Sequence, residues 1–449
     1  MSFLEREVLN FCGRYGTVFS GKTVLCAVSG GRDSMALLHV MLRLREQECF
    51  AVAAAHYNHH LRQTAQRDED FVRSWCDAKG IPVAVGSGDV RAFAKEHGTS
   101  IEDAARVLRY QFLEACADDL GASYIATAHH RQDNAETILL HLLRGAGMQG
   151  LCGIPPVRGR VIRPLLDTAR ESINQYISKY DLPYVEDESN AEGIYTRNRL
   201  RLELLPLLEE LSPGSVSRIA ATGIRLRADN ACLEHMAAKL LPSADADGGT
   251  KIPAELLKAQ DAAIVVRLLR TAAERLGVSL TAVQTDAVLR LRTGGIFVLN
   301  DSVRVLRTRE ELIFYRLPPA PPPLALQQGV QRWGNYDVYV TQTSQRVEEN
   351  EQTVVLCGQI SELTLTVWDG TGRLTVENGK RTVKRLLADH GIAVQRREMC
   401  PAVYVNEKLA AVFGAGTDRA FCPHDDELKL VIQLRRAASV VCLNDGNNK

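Results

Sequence analysis

The first 210 residues of the chain predict an α/β fold with a doubly wound, mostly parallel sheet. Short apolar runs at residues 24–28, 50–56, 82–86 and 124–127 alternate with segments of helical periodicity. In addition, a pair of glycines joins the first of these strands to a helix at residues 35–45. Such sheets bind their ligands at the carboxyl ends of the strands, so the turns that follow the strands are the first place to look for function.

The turn after the first strand, Ser29-Gly30-Gly31-Arg32-Asp33-Ser34, has the features of a pyrophosphate-binding loop. Adjacent glycines allow backbone N–H groups to point inward at a helix N-terminus, where the helix dipole and serine hydroxyls favour phosphate oxygens. Asp33 is then the candidate magnesium ligand. An ordinary strand–turn–helix connection is the alternative, because a Gly-Gly turn on its own is common.

A second phosphate motif, the Walker A pattern, is matched by GTVFSGKT at residues 16–23. A P-loop needs a strand before it and a helix after it, so that its Lys and Thr reach the phosphates from the helix N-terminus. Here a predicted helix at residues 3–15 precedes the motif and the first strand follows it. The reversed order indicates that residues 20–22 form the turn into the first strand.

Length and composition limit the class of protein. The 449 residues, 45% of them hydrophobic, suggest two or three domains, each with its own core. No apolar stretch is long enough to span a bilayer and no signal peptide is recognisable, so we expect a cytoplasmic protein without a membrane partner. The eleven cysteines include no Cys-x-x-Cys pair, which favours reduced thiols over disulfides or metal sites. Because 54 basic residues balance 54 acidic ones, a nucleic acid must be bound by local basic patches.

Three further segments follow the predicted α/β domain of residues 1–212. Residues 213–317 predict a mainly helical domain, with an amphipathic run at 262–276 and short strands at 296–299, 303–306 and 312–315. Residues 318–350 start with five prolines and predict a stiff connector with linking strands. Residues 351–449 predict a small α+β domain, from an alternating run at 363–368 and a helix at 380–390.

Polar residues follow the other strands of the predicted sheet. His56 and Asn58 end the second strand, and His129 follows the fourth. Because the carboxyl ends of parallel strands share one edge, we expect these side chains to lie beside the glycine turn. Paired surface histidines are more often inert, which is the alternative for His129 and His130. His59 and His60 are equally well explained as solvated residues.

Four further segments complete a family pattern. They are AHYNHHLR at residues 55–62, IEDAARVLRY at 101–110, AHHRQDNAET at 128–137, and DESN at 187–190 with YTRNRLR at 195–201. Together with the glycine turn they resemble the tRNA(Ile)-lysidine synthetases, a family of PP-loop ATP pyrophosphatases with a Rossmann-like sheet. Gln132, Asn134 and Glu188 depart from the family pattern, whereas Asp133 and Glu136 are retained.

The resemblance implies ligation of free L-lysine to C2 of the wobble cytidine of an isoleucine tRNA with a CAU anticodon. The cytosine O2 would attack the α-phosphate of ATP and release pyrophosphate, and the lysine amine would then displace AMP. ATP and magnesium are the implied cofactors. A tRNA thiolase, an amidotransferase-type synthetase and a non-catalytic RNA-binding protein are the alternatives, and the missing Cys-x-x-Cys argues against the thiolase. Whether the chain forms a homodimer is left open.

The candidate site residues fall into three groups. ATP is expected at Ser29, Gly30, Gly31, Arg32, Asp33, Ser34, His56 and Asn58. The candidate catalytic residues are Asp33, Arg106, Arg109, His129, Asp133 and Glu136. The candidate tRNA contacts are Arg197, Asn198, Arg201, Lys380, Arg381, Lys384 and Arg385.

Some of these residues have a second interpretation. Asp133 and Glu136, three apart near a helix start, share one face and are expected to bind the α-ammonium of lysine, but the same spacing is typical of a helix N-cap. Arg106, four residues after Glu102, is also explained by a helix-surface ion pair. The basic residues at 380–397 are also explained by a solvated helix face.

Overall fold

The computed structural model describes residues 1–61, 64–186, 196–358, 362–377, 379–424 and 427–437. The chain divides into two compact units, Met1–Cys232 and Leu233–Lys449. Arg62, the DESN segment at 187–190 and Tyr195 of the family pattern lie outside the described residues. The division into four domains stays a prediction.

In the first unit helices and strands alternate along the chain. The helices are α1 (Phe3–Arg14), α2 (Arg32–Leu44), α3 (Ala65–Ala78), α4 (Val90–His97), α5 (Ile101–Asp119), α6 (Arg131–Leu143), α7 (Met148–Leu151), α8 (Arg170–Tyr180), α9 (Thr196–Arg199), α10 (Leu205–Leu211) and α11 (Ser215–Leu240). The strands are β1 (Thr23–Ala27), β2 (Ala51–Asn58), β3 (Val83–Ser87), β4 (Tyr124–Ala126), β5 (Val157–Arg158) and β6 (Val161–Ile162). A π-helical turn, Leu200–Leu204, joins α9 to α10.

The six strands form one sheet in the order β3-β2-β1-β4-β6-β5. Neighbouring strands are parallel except for the β5–β6 pair. The central strand β1 is buried on both faces: Val24 and Cys26 pack in the core formed with α1, α2 and α8, whereas Leu25 packs in the core formed with α5. The predicted doubly wound sheet and its first four strands are therefore confirmed, and β5 and β6 were missed.

The strand order reverses direction between β1 and β4. From β1 the chain proceeds to β2 and β3 on one side, and it returns with β4 on the other side of β1. The turn after β1 and the turn after β4 are consequently neighbours. This topological switch point is where open α/β sheets bind their ligands.

The glycine turn after β1 depends on Gly30. Its φ of 90° lies in the region that favours glycine, and an added Cβ would meet a Val72 methyl at 3.4 Å. Gly31 is the N-cap of α2, which begins at Arg32, three residues earlier than predicted. Asp33 and Ser34 therefore lie in the first helical turn.

The Walker-like segment has the structural context that the sequence predicted. Helix α1 precedes it, strand β1 follows it, and Lys22 is exposed. The rejection of a P-loop at residues 16–23 is confirmed.

Helix α11 starts in the first unit, after the predicted boundary at residue 212. Its Arg227 donates hydrogen bonds to the carbonyl oxygens of Cys152 at 2.6 Å and Ile154 at 2.8 Å. Gly223 lies so close to Ile138 that an added Cβ would approach its methyl group to 2.6 Å. The first turns of α11 thus belong to the packing of the α/β unit.

The second unit is rich in antiparallel strands. Its helices are α12 (Ala254–Ala259), α13 (Ala262–Glu274), α14 (Ala282–Leu289), α15 (Val383–Asp389) and α16 (Val394–Arg397). Its strands are β7 (Thr250–Pro253), β8 (Ile296–Val298), β9 (Val303–Arg307), β10 (Glu311–Arg316), β11 (Leu324–Ala325), β12 (Gly329–Trp333), β13 (Tyr336–Thr343), β14 (Thr353–Cys357), β15 (Leu363–Val367), β16 (Arg373–Val376), β17 (Gly379–Thr382), β18 (Pro401–Val405), β19 (Lys408–Val412), β20 (Gly416–Thr417) and β21 (Lys429–Arg436).

These strands form several small sheets. Strands β7-β10-β9-β8 pack on α13, and the sheets β11-β15-β18-β19-β20 and β12-β13-β21-β14 share one apolar core. The predicted strands near residues 296, 303 and 312 are confirmed, as is the helix at 262. The helix predicted at 380–390 begins only at Val383, because residues 379–382 pair with β16 as a hairpin.

No helix within the described part of the chain is long and apolar enough to cross a membrane.

Candidate active site

A cavity of about 700 Å³ opens at the switch point of the sheet. Its walls are the turn after β1, the end of β2, the turn after β4 and the segment 184–186 that follows α8. The predicted site residues that line it are Ser29, Gly31, Arg32, Asp33, Ser34, His56, Asn58, Arg109, His129, Asp133 and Arg201. Predicted residues up to 172 positions apart in the sequence therefore line one cavity.

The serines of the glycine turn hold the turn itself. The Ser29 hydroxyl accepts a hydrogen bond from the Gly31 amide at 3.3 Å and lies 3.2 Å from the Ser34 hydroxyl. Ser34 also donates to the Gly31 carbonyl at 2.8 Å and accepts from the Ser29 amide at 3.2 Å. The turn is thus preorganised at the N-terminus of α2, where the helix dipole favours an anion.

Asp33 faces the turn after β4. One carboxylate oxygen, Oδ2, lies 3.7 Å from Nε2 of His130, whereas the buried Oδ1 has no hydrogen-bond partner among the described residues. An unpartnered, buried carboxylate oxygen is suited to a cation. No group of three or more His, Cys, Asp or Glu with metal-site geometry occurs among the described residues, so a cation here would rely on Asp33 and on ligands from outside the protein.

Helix α6 is capped by His130, an arrangement that the sequence did not reveal. The His130 ring accepts a hydrogen bond from the Gln132 amide at 3.2 Å, and the Asp133 carboxylate accepts one from the His130 amide at 2.9 Å. Asp133 thus completes a capping box from the third helical position. Glu136 takes no part in this cap.

Asp133 and Glu136 instead form an ion-pair cluster with two arginines from the segment after residue 195. Nε of Arg201 lies 2.7 Å from Glu136 and its Nη2 lies 2.9 Å from Asp133. Nε of Arg197 lies 3.2 Å from Glu136. The Glu136 side chain is fully buried, while that of Asp133 is 14% exposed and lines the cavity. Both carboxylates predicted for lysine therefore already hold guanidinium groups.

Burial and the surrounding charges shift the pKa of Asp133 in opposite directions. Burial alone would raise the pKa of Asp133, but His130, His129, the His130 amide and Arg201 together lower it. Asp133 is therefore ionised in the cluster. This matches the two guanidinium groups that it faces.

His129 is kept neutral by its surroundings. Its Nδ1 lies 3.0 Å from the Thr127 hydroxyl. Burial and the nearby cations Arg163 and Arg109 lower the pKa of His129 to about 3, against the influence of Asp133. Burial also lowers the pKa of Arg109. A neutral imidazole can donate one hydrogen bond to an anionic ligand without adding charge.

His56 and Asn58 line the cavity, but both also hold local structure. Nδ1 of the buried His56 donates to the Val28 carbonyl at 2.9 Å, and burial lowers the pKa of His56. The Asn58 amide donates to Glu69 at 3.0 Å and accepts from the His60 amide at 2.9 Å. His56 keeps Nε2 for a ligand, whereas the amide of Asn58 is engaged at both ends.

Several predicted residues do not reach the cavity. Gly30 and Asn198 are not among its lining residues, and neither are Glu136 and Arg197, which belong to the ion-pair cluster. Arg106 is exposed, with its guanidinium 5.4 Å from the centre of the Tyr110 ring. Their roles as site residues stay predictions.

The segment after α8 contributes a wall that sequence reasoning missed. The Val185 amide donates to the Gly30 carbonyl at 3.0 Å. Arg32 donates to the Tyr184 hydroxyl at 2.9 Å and to Asn174 of α8 at 3.0 Å. Tyr184, Glu186 and Arg170 therefore line the cavity beside the turn.

The candidate tRNA contacts of the second unit lie on a hairpin and a short helix. Lys380 and Arg381 are on strand β17, not on the predicted helix, and Arg381 pairs with Asp389 at 3.2 Å. Lys384 and Arg385 are exposed on α15.

Known proteins resemble both units. The PP-loop domain family matches residues 2–208, and the family described as TilS substrate C-terminal domain matches residues 363–434. A tRNA(Ile)-lysidine synthase of Geobacter sulfurreducens is 35% identical over 324 residues, which are 69% of this chain and 69% of that protein.

Two further proteins named tRNA(Ile)-lysidine synthase match more strongly over shorter regions. That of Bacteroides thetaiotaomicron is 40% identical over 224 residues, and that of Thermotoga maritima is 43% identical over 193 residues. These matches cover 50% and 43% of this chain, and 52% and 47% of the two relatives. The chain thus spans about half the length of these two proteins.

Proposed function

Because the chain belongs to the tRNA(Ile)-lysidine synthase family, we propose that it ligates free L-lysine to C2 of the wobble cytidine of a CAU-anticodon isoleucine tRNA. The reaction consumes ATP and releases pyrophosphate and AMP. The observation that carries the proposal is the meeting of a phosphate-binding turn and an ionised carboxylate, Asp133, in one cavity of about 700 Å³. The turn suits the phosphates of a nucleotide, and the carboxylate suits the ammonium group of an amino acid.

In the first step the cytosine O2 forms a bond to the α-phosphorus of ATP. The bond from that phosphorus to the bridging oxygen breaks, and pyrophosphate leaves with the electron pair. Negative charge grows on the departing phosphates, beside the N-terminus of α2. Fixed N–H dipoles and arginine side chains aimed at this charge lower the barrier, because they need no reorganisation during the reaction.

Magnesium fits this site through Asp33. The unpartnered Oδ1 supplies one hard oxygen ligand, and Mg²⁺ in nucleotide sites is commonly held by one or two carboxylates, substrate phosphates and water. When bound, the ion would neutralise charge on the phosphates. Asp33 would hold it, while the serines keep the turn in shape.

In the second step the ε-amine of lysine forms a bond to C2 and gives up a proton, while the bond from C2 to the adenylated oxygen breaks and AMP leaves with that oxygen and the electron pair. We assign the α-ammonium of lysine to Asp133, with Glu136 behind it. Since Arg197 and Arg201 occupy both carboxylates, lysine must displace at least one guanidinium to bind. The displaced arginine would then be available to an anion, such as a phosphate of the nucleotide or RNA.

The second unit is proposed to hold the tRNA backbone. Lys380, Lys384 and Arg385 are exposed cations, and phosphate contacts position a nucleic acid without reading its sequence. We propose that the enzyme acts in the cytoplasm. A homodimer, which the sequence leaves open, would show twice the chain mass of 49.5 kDa in light scattering.

A tRNA thiolase is the second candidate function. No cysteine of the described residues lines the cavity, and the sequence contains no Cys-x-x-Cys pair. Sulfur transfer therefore lacks its usual thiols here.

The decisive experiment incubates the purified protein with ATP, magnesium, lysine and CAU-anticodon tRNA, and measures pyrophosphate, AMP and the nucleoside mass. We expect AMP release that depends on lysine. We also expect a modified cytidine whose mass exceeds that of cytidine by the mass of lysine minus one water. Asp33→Asn should abolish pyrophosphate release and leave tRNA binding intact. The exposed Lys22→Ala is the matched control and should retain activity. A modification that forms without lysine, or that contains sulfur, would contradict the proposal.

A further inference from the structure

Arg170 is a cavity residue that the reaction scheme above does not use. It is the first residue of α8, it is half-buried, and it lines the cavity together with the glycine turn and the turn after β4. The sequence gives no reason to select it, because candidate residues were sought after predicted strands and the preceding strand β6, with only two residues, was not predicted.

Two hydrogen bonds made by residues near Arg170 tie the start of α8 to the site. One helical turn later on the same face, Asn174 accepts from Arg32 of the glycine turn at 3.0 Å. Two residues earlier, the Thr168 carbonyl accepts from the Arg131 amide at the start of α6 at 3.1 Å. Arg170 is thereby held between the phosphate-binding turn and the helix that carries Asp133.

The other arginines that line the cavity are already engaged. Arg32 donates to Asn174 and Tyr184, Arg201 pairs with Asp133 and Glu136, and the Arg109 guanidinium lies 5.5 Å from the Tyr110 ring centre. Arg170, by contrast, makes no hydrogen bond, ion pair or cation–π contact with any described residue. A half-buried guanidinium with five donors and no carboxylate partner is suited to an anionic ligand.

We propose that Arg170 binds the β- and γ-phosphates of ATP and stabilises pyrophosphate as it leaves. The proposal rests on the proposed function, because adenylation is the step in which the bond between the α-phosphorus and the bridging oxygen breaks and the electron pair passes to pyrophosphate. Arg170 lines the same cavity as the turn where those phosphates are proposed to bind, and its helix is tied to that turn through Asn174 and Arg32. Its guanidinium adds a positive charge that no carboxylate of the described residues pairs with.

The test measures nucleotide binding alone. Arg170→Met and Arg170→Lys are titrated with ATP, inorganic pyrophosphate and AMP in the presence of magnesium, without tRNA or lysine. A charge-assisted hydrogen bond to phosphate predicts that Arg170→Met weakens ATP and pyrophosphate binding at least about tenfold, with little change for AMP. Arg170→Lys should lose less, because it keeps the charge. Lys179→Met, on the exposed end of the same helix, is the matched control and should bind all three ligands normally.

Each contrary outcome is distinct. Equal weakening of ATP and AMP, or unchanged ATP binding, would overturn the assignment to the β- and γ-phosphates. In a separate turnover assay with tRNA, a raised Michaelis constant for lysine together with unchanged ATP binding would show that Arg170 holds a carboxylate instead. Since these titrations contain no tRNA, they remain informative even if the acceptor differs from the one proposed. A melting temperature measured for each variant identifies any loss of fold.

Discussion

Replacing Glu136 by Gln removes the charge at the centre of the ion-pair cluster. The carboxylate is fully buried and lies 2.7 Å from Arg201 and 3.2 Å from Arg197. Deleting one partner of a buried ion pair costs about 3–5 kcal/mol. Because the two arginines are 24% and 32% exposed, water compensates part of the loss. We therefore expect the free energy of unfolding to fall by about 1.5–3 kcal/mol, the range of hydrogen bonds to charged groups.

The same change should affect the two reaction steps unequally. Adenylation uses the glycine turn and should continue, whereas lysine loses part of its binding site, with an affinity loss of about tenfold or more. Adenylated tRNA should accumulate in a single-turnover assay with radiolabelled ATP. The Michaelis constant for lysine is measured in parallel with urea unfolding.

Two further variants separate the lysine role from a structural one. Glu203→Gln removes the partner of Arg199 in an exposed pair one helical turn long and should change neither stability nor kinetics. In a double-mutant cycle, Glu136→Gln and Arg201→Gln should be coupled by about 1–3 kcal/mol in stability. If both reaction steps slow in the same proportion as stability falls, and the Michaelis constant for lysine is unchanged, the cluster is structural and the assignment of lysine to it is wrong.

The remaining predictions concern acid stability, RNA binding and the domain boundary. The low folded pKa of His129, about 3 against 6.5 in the unfolded chain, means that the unfolded state binds more protons below pH 6.5, so stability should fall between pH 6.5 and 3. A His129→Asn variant should show a shallower fall, by up to about 1.4 kcal/mol per pH unit, in urea titrations across that range, and an unchanged slope would contradict the low pKa. Lys384→Glu with Arg385→Glu should raise the Michaelis constant for tRNA, but not that for ATP, and lower the salt slope by about one unit per lost contact; unchanged kinetics across a salt titration would indicate a solvated helix face. A chain cut after residue 232 should melt at a higher temperature than one cut after residue 212, because the latter lacks the part of α11 that packs on the α/β unit; equal melting temperatures would restore the earlier boundary.

The sequence revealed the sheet and the cavity because both depend on local patterns. Alternating strands and helices fix the layers, and the rule that turns after parallel strands share an edge brings Ser29, His56 and His129 together. Neither argument requires knowing which residues far apart in the sequence contact each other. Strand β6 was not predicted because two residues are too few to show a periodicity. The turn that follows β6 and leads to Arg170 was therefore not predicted either.

The ion-pair cluster could not be predicted, because helical spacing shows which residues share a face but not what that face meets. Glu136 and Arg201 are 65 residues apart, and no local pattern links them. The histidine cap of α6 was missed because Asp and Ser are the usual capping residues, whereas an imidazole nitrogen caps rarely. Lys380 and Arg381 were assigned to a helix because basic residues carry little information on local structure. Their pairing with β16 in a hairpin places them on a strand instead.

The π-helical turn at Leu200–Leu204 makes chain length, and not only residue type, a requirement of the site. Its hydrogen bonds span five residues instead of four, so it contains one residue more than an α-helix would. Removing that residue would rotate α9 by about 100° relative to α10 and turn Arg197 away from Glu136. A one-residue gap at this position in a distant homologue would therefore mark the loss of the cluster, even where every charged residue is conserved. Loop lengths elsewhere on the surface can drift during evolution without such an effect.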